Sequence, residues 1–161
     1  MIFLSVGSEN FSFNRLIRII DNEAGDKMSG SKFFAQIGKS TYKPLNMSYT
    51  DFLPYNKSQE LIRESEIIII HAGVGTIINC FENERIPIIF PRLKKHKEQI
   101  DNHQLELARR LEKENMILAA YDEDGLVNKI RCYHKLVKNM KFSKNNNKKT
   151  LINNLFNVIK R

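Results

Sequence analysis

Two clusters of residues in this chain have the types and spacing to do chemistry. The first is His71-Ala-Gly-Val-Gly75-Thr76, which follows directly on four consecutive isoleucines, 67–70. A glycine-rich turn from a buried strand into a helix is a phosphate site in physical terms. Glycines let the backbone come close to a ligand, and the free N–H groups of the first helical turn point at the anion. Thr76 can add a hydroxyl donor. The pattern is neither the dinucleotide fingerprint nor the P-loop, because Gly73 and Gly75 have no third glycine and no Lys stands at the P-loop position. Close strand–helix packing would call for the same two glycines, so the motif alone leaves both readings open.

The second cluster is Pro91-Arg92, then Lys94-Lys95-His96-Lys97, then Asp101-Asn102-His103-Gln104. Its cations, Arg92 foremost, would suit a diphosphate held beside the glycine turn. Asp101, His103 and Gln104 are short hydrogen-bonding side chains suited to sugar hydroxyls. Taken singly, Asp101 is equally an ordinary first-turn acid favoured by the helix dipole, and His103 a surface histidine.

Elements of alternating type must position these residues. Apolar runs at 2–6, 32–37, 67–70, 87–90 and 116–119 read as buried strands, with a further strand at 47–50. Helical spacing covers 11–21, 56–65, 73–84, 98–113 and a long stretch, 122–140. Four β-branched residues in a row, apolar on both faces, are typical of a central parallel strand. The alternation predicts an α/β fold, a parallel sheet flanked by helices, with ligands beyond the carboxyl ends of the strands. Residues 1–142 are expected to form this domain. Residues 143–149 read as a polar linker. Leu151, Ile152, Leu155, Phe156 and Ile159 form one face of a final helix that would dock on the domain or on a partner.

Composition narrows the classes. With 161 residues, 42% hydrophobic and 27% charged, the chain is long enough for one domain with a full core. Two cysteines, Cys80 and Cys132, are too few for a disulfide scaffold or a four-thiolate metal site, which suits a reducing compartment. No secretory signal is recognisable at the amino end, and the longest uncharged stretch, 67–81, is too short to span a bilayer. The net charge of +8 is unevenly placed. Of the 26 basic residues, ten lie in 129–161, where none of the 18 acidic residues falls; residues 1–128 hold the other 16 and all 18. Such a block suits an anionic leaflet or an acidic partner, and it suits a solvated helix face equally. It lacks a nucleic-acid readout motif, so no nucleic-acid partner is expected.

Together the clusters resemble a known family. Residues 67–104, IIIIHAGVGTIINCFENERIPIIFPRLKKHKEQIDNHQ, are similar to the C-terminal, donor-binding half of family 28 glycosyltransferases. The resemblance is to the small separate subunits in particular. These are the bacterial exopolysaccharide and capsule type and the catalytic subunit that adds N-acetylglucosamine to a dolichol-linked sugar. The opening IFLSVGS, FAQIG at 34–38 and DNHQLELA at 101–108 fit the same pattern. The resemblance implies a Rossmann-like half of a GT-B glycosyltransferase that binds a UDP-sugar. It implies Gly7 and Ser8 in a first glycine loop near the diphosphate, with Gly38 at the end of the next strand, and Phe52 and Leu53 beside the uracil. It places His71, Ala72, Gly73, Val74, Gly75 and Thr76 at the diphosphate, and His103 and Gln104 at the donor sugar. One position departs: Asn79 stands where the family often has a Glu on the ribose hydroxyls, with Glu82 one turn on. Asn lacks the charge-assisted strength of a carboxylate.

The resemblance further implies a membrane-anchored partner subunit that binds a lipid-linked saccharide acceptor and supplies the general base. The location implied is the cytoplasmic face of the membrane. Transfer would proceed by direct displacement with inversion and without a metal or other cofactor. A non-catalytic enhancer subunit that only binds the nucleotide is the alternative.

Overall fold

The computed structural model describes residues 1–26, 28, 30–138, 140 and 148–160. Six strands form one sheet: β1 (Ile2–Ser5), β2 (Phe33–Gln36), β3 (Ser48–Thr50), β4 (Ile67–Ile70), β5 (Ile88–Ile89) and β6 (Leu118–Ala119). Every pairing is parallel and the order is β3-β2-β1-β4-β5-β6. The α/β architecture expected from the sequence is therefore the one found. β4 lies against β1 in the register Ile2↔Ile67 to Ser5↔Ile70, and its four isoleucines are buried on both faces. A parallel strand covered on both sides has no face left for polar residues, which is why the run is unbroken.

The helices are α1 (Asn14–Asp26), α2 (Tyr55–Glu64), α3 (Val74–Glu82), α4 (His103–Lys113), α5 (Glu123–Arg131), α6 (Tyr133–Val137) and α7 (Lys148–Ile159). Chain order reverses at the β1–β4 pair, since β2 and β3 lie to one side and β5 and β6 to the other. Parallel sheets of this kind open a crevice at that point, beyond the carboxyl ends of the strands.

Three predicted elements are corrected. The helix expected over 98–113 starts only at His103. Lys94–His96 form a 3₁₀ turn, and Lys97 is left-handed with φ 56°. Glu98 is buried and takes three donors that draw the chain inward: two N–H groups of Arg15 at 2.9 and 2.8 Å, and the Leu93 amide at 3.0 Å. The helix expected over 122–140 is broken at Cys132 into α5 and α6. There the Tyr133 ring turns into the core and its hydroxyl donates to the Ile86 carbonyl at 2.6 Å. The helix expected over 11–21 begins at Asn14, because Phe13 is buried in the entering loop with its amide on Ser40 Oγ at 2.9 Å.

The final helix begins at Lys148 and packs on α3 and α4. Leu155 and Val158 join the core, while Phe156 is exposed. Most of the expected linker, 143–147, lies outside the described residues. Among the described residues no helix is long and apolar enough to cross a membrane.

Candidate functional site

A cleft of about 460 Å³ opens at the chain reversal, between the loops that leave β1 and β4. Of the residues expected there, Gly7, Ser8 and Leu53 line it, as do His71, Gly73, Val74, Gly75, Thr76 and Asn79. The turn after the isoleucine strand supplies its centre. Gly73 precedes α3 with no side chain to cap it, and the first backbone bond of that end runs from the Ile77 amide to the Gly73 carbonyl at 3.0 Å. The amides before Ile77 are the orphan donors of a helix start. A side chain placed on Gly75 would meet no atom within 4 Å, so the space beside the first turn of α3 is open.

The other glycines of the motif do something different. A Cβ on Gly73 would stand 2.2 Å from His71 Nε2, and one on Gly7 would stand 2.4 Å from His71 Cε1. Both glycines make room for the His71 ring, which is wedged between the two loops, so close packing explains them, whereas no neighbouring side chain requires a glycine at Gly75. Burial pushes the His71 pKa down to about 4, with the Arg92 charge adding to the shift and hydrogen bonding to the Ser5 backbone opposing it. The imidazole is therefore neutral at pH 7, and its Nδ1 has no partner among the described residues. Gly38, with φ +55°, lies outside the cleft. A Cβ there would come 2.7 Å from the Gly7 carbonyl oxygen, so it lets the β2 loop pass under the Gly7 loop. Ala72 is buried beneath the turn.

The second cluster is largely turned away. Arg92, expected to face a diphosphate, is fully buried. Its Nη1 donates to the Phe11 carbonyl at 2.9 Å and to the Glu98 carbonyl at 3.3 Å; its Nη2 donates to the Val6 carbonyl at 2.8 Å. Its guanidinium also lies over the Phe13 ring, 4.7 Å from the centroid. It ties the loop after β1 to its own loop after β5 and does not line the cleft. Lys95 and His96 line a separate concavity with Arg15 and Arg18. Asp101 and His103 are exposed at the start of α4, where Asp101 Oδ1 accepts the His103 amide at 3.0 Å. Neither lines the cleft. Phe52 is 43% exposed beside it, with Lys39 Nζ 5.5 Å from its ring centroid.

Gln104 lies one step behind the cleft. It is buried, accepts the Arg92 amide at 3.2 Å and donates to Glu9 Oε1 at 3.2 Å. Glu9 itself lines the cleft, and so do Gln36, Tyr55 and Ser58, which sequence reasoning missed. Gln36 had a signal, as the last residue of a strand and part of FAQIG; its Oε1 accepts the Ser5 hydroxyl at 3.1 Å. Glu9 had none, because an acid in a polar loop has no preferred direction until a partner fixes it. Among the described residues no three His, Cys, Asp or Glu side chains come together as a metal-binding group.

Comparison with known proteins agrees with the fold. The glycosyltransferase family 28 C-terminal domain matches residues 1–161. The human UDP-N-acetylglucosamine transferase subunit ALG13 is 29% identical over 122 residues, 70% of this chain. The match spans only 10% of the human protein's length. The solved structure of the glycotransferase of kitacinnamycin has the same fold, with a TM-score of 0.65 over 98% of this chain and 39% of its own, at 14% identity.

Proposed function

Since this chain belongs to the glycosyltransferase family 28 C-terminal domain family, we propose that it is the donor-binding half of an inverting, UDP-sugar-dependent glycosyltransferase. The acceptor proposed is a lipid-linked saccharide of capsule or exopolysaccharide synthesis, presented by a membrane-anchored partner subunit that also brings the general base. The observation that carries this reading is the uncapped start of α3, whose first-turn residues Val74, Gly75 and Thr76 line the cleft with open space beside Gly75. Such amides stabilise the negative charge that grows on a departing diphosphate, at no cost of reorganisation. Arg92 is not part of this arrangement, so the charge falls to the amides, the helix dipole and the Thr76 hydroxyl, with no protein-held metal invoked. Leu53 and Tyr55 offer an apolar edge for the base, and Ser58 and Asn79 offer groups for ribose hydroxyls.

The human relative is named as a subunit and as a UDP-N-acetylglucosamine transferase, which supports both the nucleotide and the partner. The basic segment 129–161 is then suited to the partner or to an anionic leaflet, on the cytoplasmic face. A non-catalytic UDP-binding subunit is the second reading. Asn79 favours it, because an amide holds a ribose hydroxyl without the assistance of a charge.

The test is calorimetric titration of the purified chain with UDP, beside the Gly75→Arg variant. Binding to the wild type, lost in the variant at an unchanged melting temperature, is the expected result. Equal binding by both would move the nucleotide elsewhere and overturn the reading. Transfer by the complex reconstituted with its partner separates the enzyme from the enhancer.

A further inference from the structure

We propose that Glu9 reads the transferred sugar: its carboxylate accepts hydroxyl hydrogens from a neutral hexose or N-acetylhexosamine and turns away donors whose sugar is itself a carboxylate. The inference rests on the UDP-sugar reading above and adds the class of sugar.

The cleft has a direction set by the sheet. Leu53 and Tyr55 enter from the segment after β3, on one side of the chain reversal. The start of α3 lies at the centre. Glu9 marks the other end, because its carboxylate is held by the segment that follows β5: Gln99 Nε2 in the loop donates to Oε2 at 2.5 Å, and Gln104 Nε2 in the first turn of α4 donates to Oε1 at 3.2 Å. With the diphosphate on the α3 amides and the base towards Leu53, the sugar of a nucleoside diphosphate sugar falls at Glu9.

The chemistry of that end is specific. Each carboxylate oxygen can accept about two hydrogen bonds and receives one from these amides, so acceptor capacity remains for the cleft that Glu9 lines. Both partners are neutral and cancel none of its charge. Arg92 attracts Glu9 through space without a hydrogen bond to it, and its one charge is shared between Glu9 and Glu98. A fixed negative charge is compatible with a nearby diphosphate when a hydroxyl-bearing ring stands between them. A second carboxylate on that ring would face it at short range.

The experiment compares UDP, UDP-glucose and UDP-glucuronate on the full chain and on Glu9→Gln, by calorimetry at low salt. Gln can keep one amide partner and the side-chain shape, and a melting curve checks the fold. The wild type is expected to prefer UDP-glucose over UDP-glucuronate by about tenfold or more, as a like charge at a few ångströms implies. The preference should fall below about threefold in Glu9→Gln, read as the ratio of the two sugars so that any change shared with UDP cancels. Equal binding of the two sugars by the wild type overturns the inference without any variant, and so does a preference that survives Glu9→Gln. Failure of UDP to bind overturns the donor reading, and this inference with it.

Discussion

Two loops leave neighbouring buried strands at the same end of the sheet, and they treat polar groups in opposite ways. After β4 the chain turns through Gly73 to Thr76 with almost no side chain, and the α3 amides stay free at the cleft. After β5 it carries Arg92, Lys94, Lys95, His96 and Lys97, and none of these lines the cleft. Arg92 is buried on backbone carbonyls, and Glu98 is closed by Arg15 and Leu93. The glycine loop leaves its donors open by what it lacks, whereas the basic loop braces its neighbours. A cation near a phosphate motif in sequence is a ligand only if the fold leaves its donors unmatched.

The sharpest way to break this contrast is to exchange the two roles. Arg92→Met should cost about 3–5 kcal/mol of stability, because it strands several buried carbonyls at once. Urea unfolding measures this. A variant of near wild-type stability that had lost UDP binding would instead return Arg92 to the ligand site.

His71 tests the same boundary by pH. Its folded pKa of about 4 lies below the ordinary value of 6.5, so the unfolded chain binds the proton more readily. The stabilisation is complete above pH 6.5 and is lost as pH falls towards 4, by roughly 3 kcal/mol at most. The slope of unfolding free energy between pH 6.5 and 4 should flatten in His71→Asn. An unchanged slope would mean that the ring is not buried as a neutral wedge.

The smallest effects separate the two glycines of the turn. Gly73→Ala pushes a methyl into the His71 ring and should cost about 1–3 kcal/mol. Gly75→Ala meets open space and should change stability by less than about 0.5 kcal/mol. Equal melting temperatures for the two variants would remove the distinction between packing glycine and site glycine.

Much of the fold was legible because buried parallel strands and helical periodicity leave local signatures. The four isoleucines of β4 and the turn after them are the clearest case, and they placed the cleft. Element ends were less legible where a single tertiary partner decides them. Nothing local keeps residues 98–102 out of a helix or breaks one at Cys132; Arg15 and the Ile86 carbonyl do that from distant parts of the chain. The site divided in the same way. Gly7, Leu53 and the 71–76 turn sit where strand ends must put them. Asp101 and His103 stand at a helix start that moved, and both are exposed.

By itself, the sequence determined that a parallel sheet would end in an uncapped glycine turn, since hydrophobic runs and backbone freedom are properties of neighbouring residues. Only the tertiary structure decided which polar groups were left for a ligand. Hydrogen bonds are satisfied across the fold: Arg92 found its carbonyls in the β1 loop, Glu9 found two amides beyond β5, and His71 took the space that two glycines gave up.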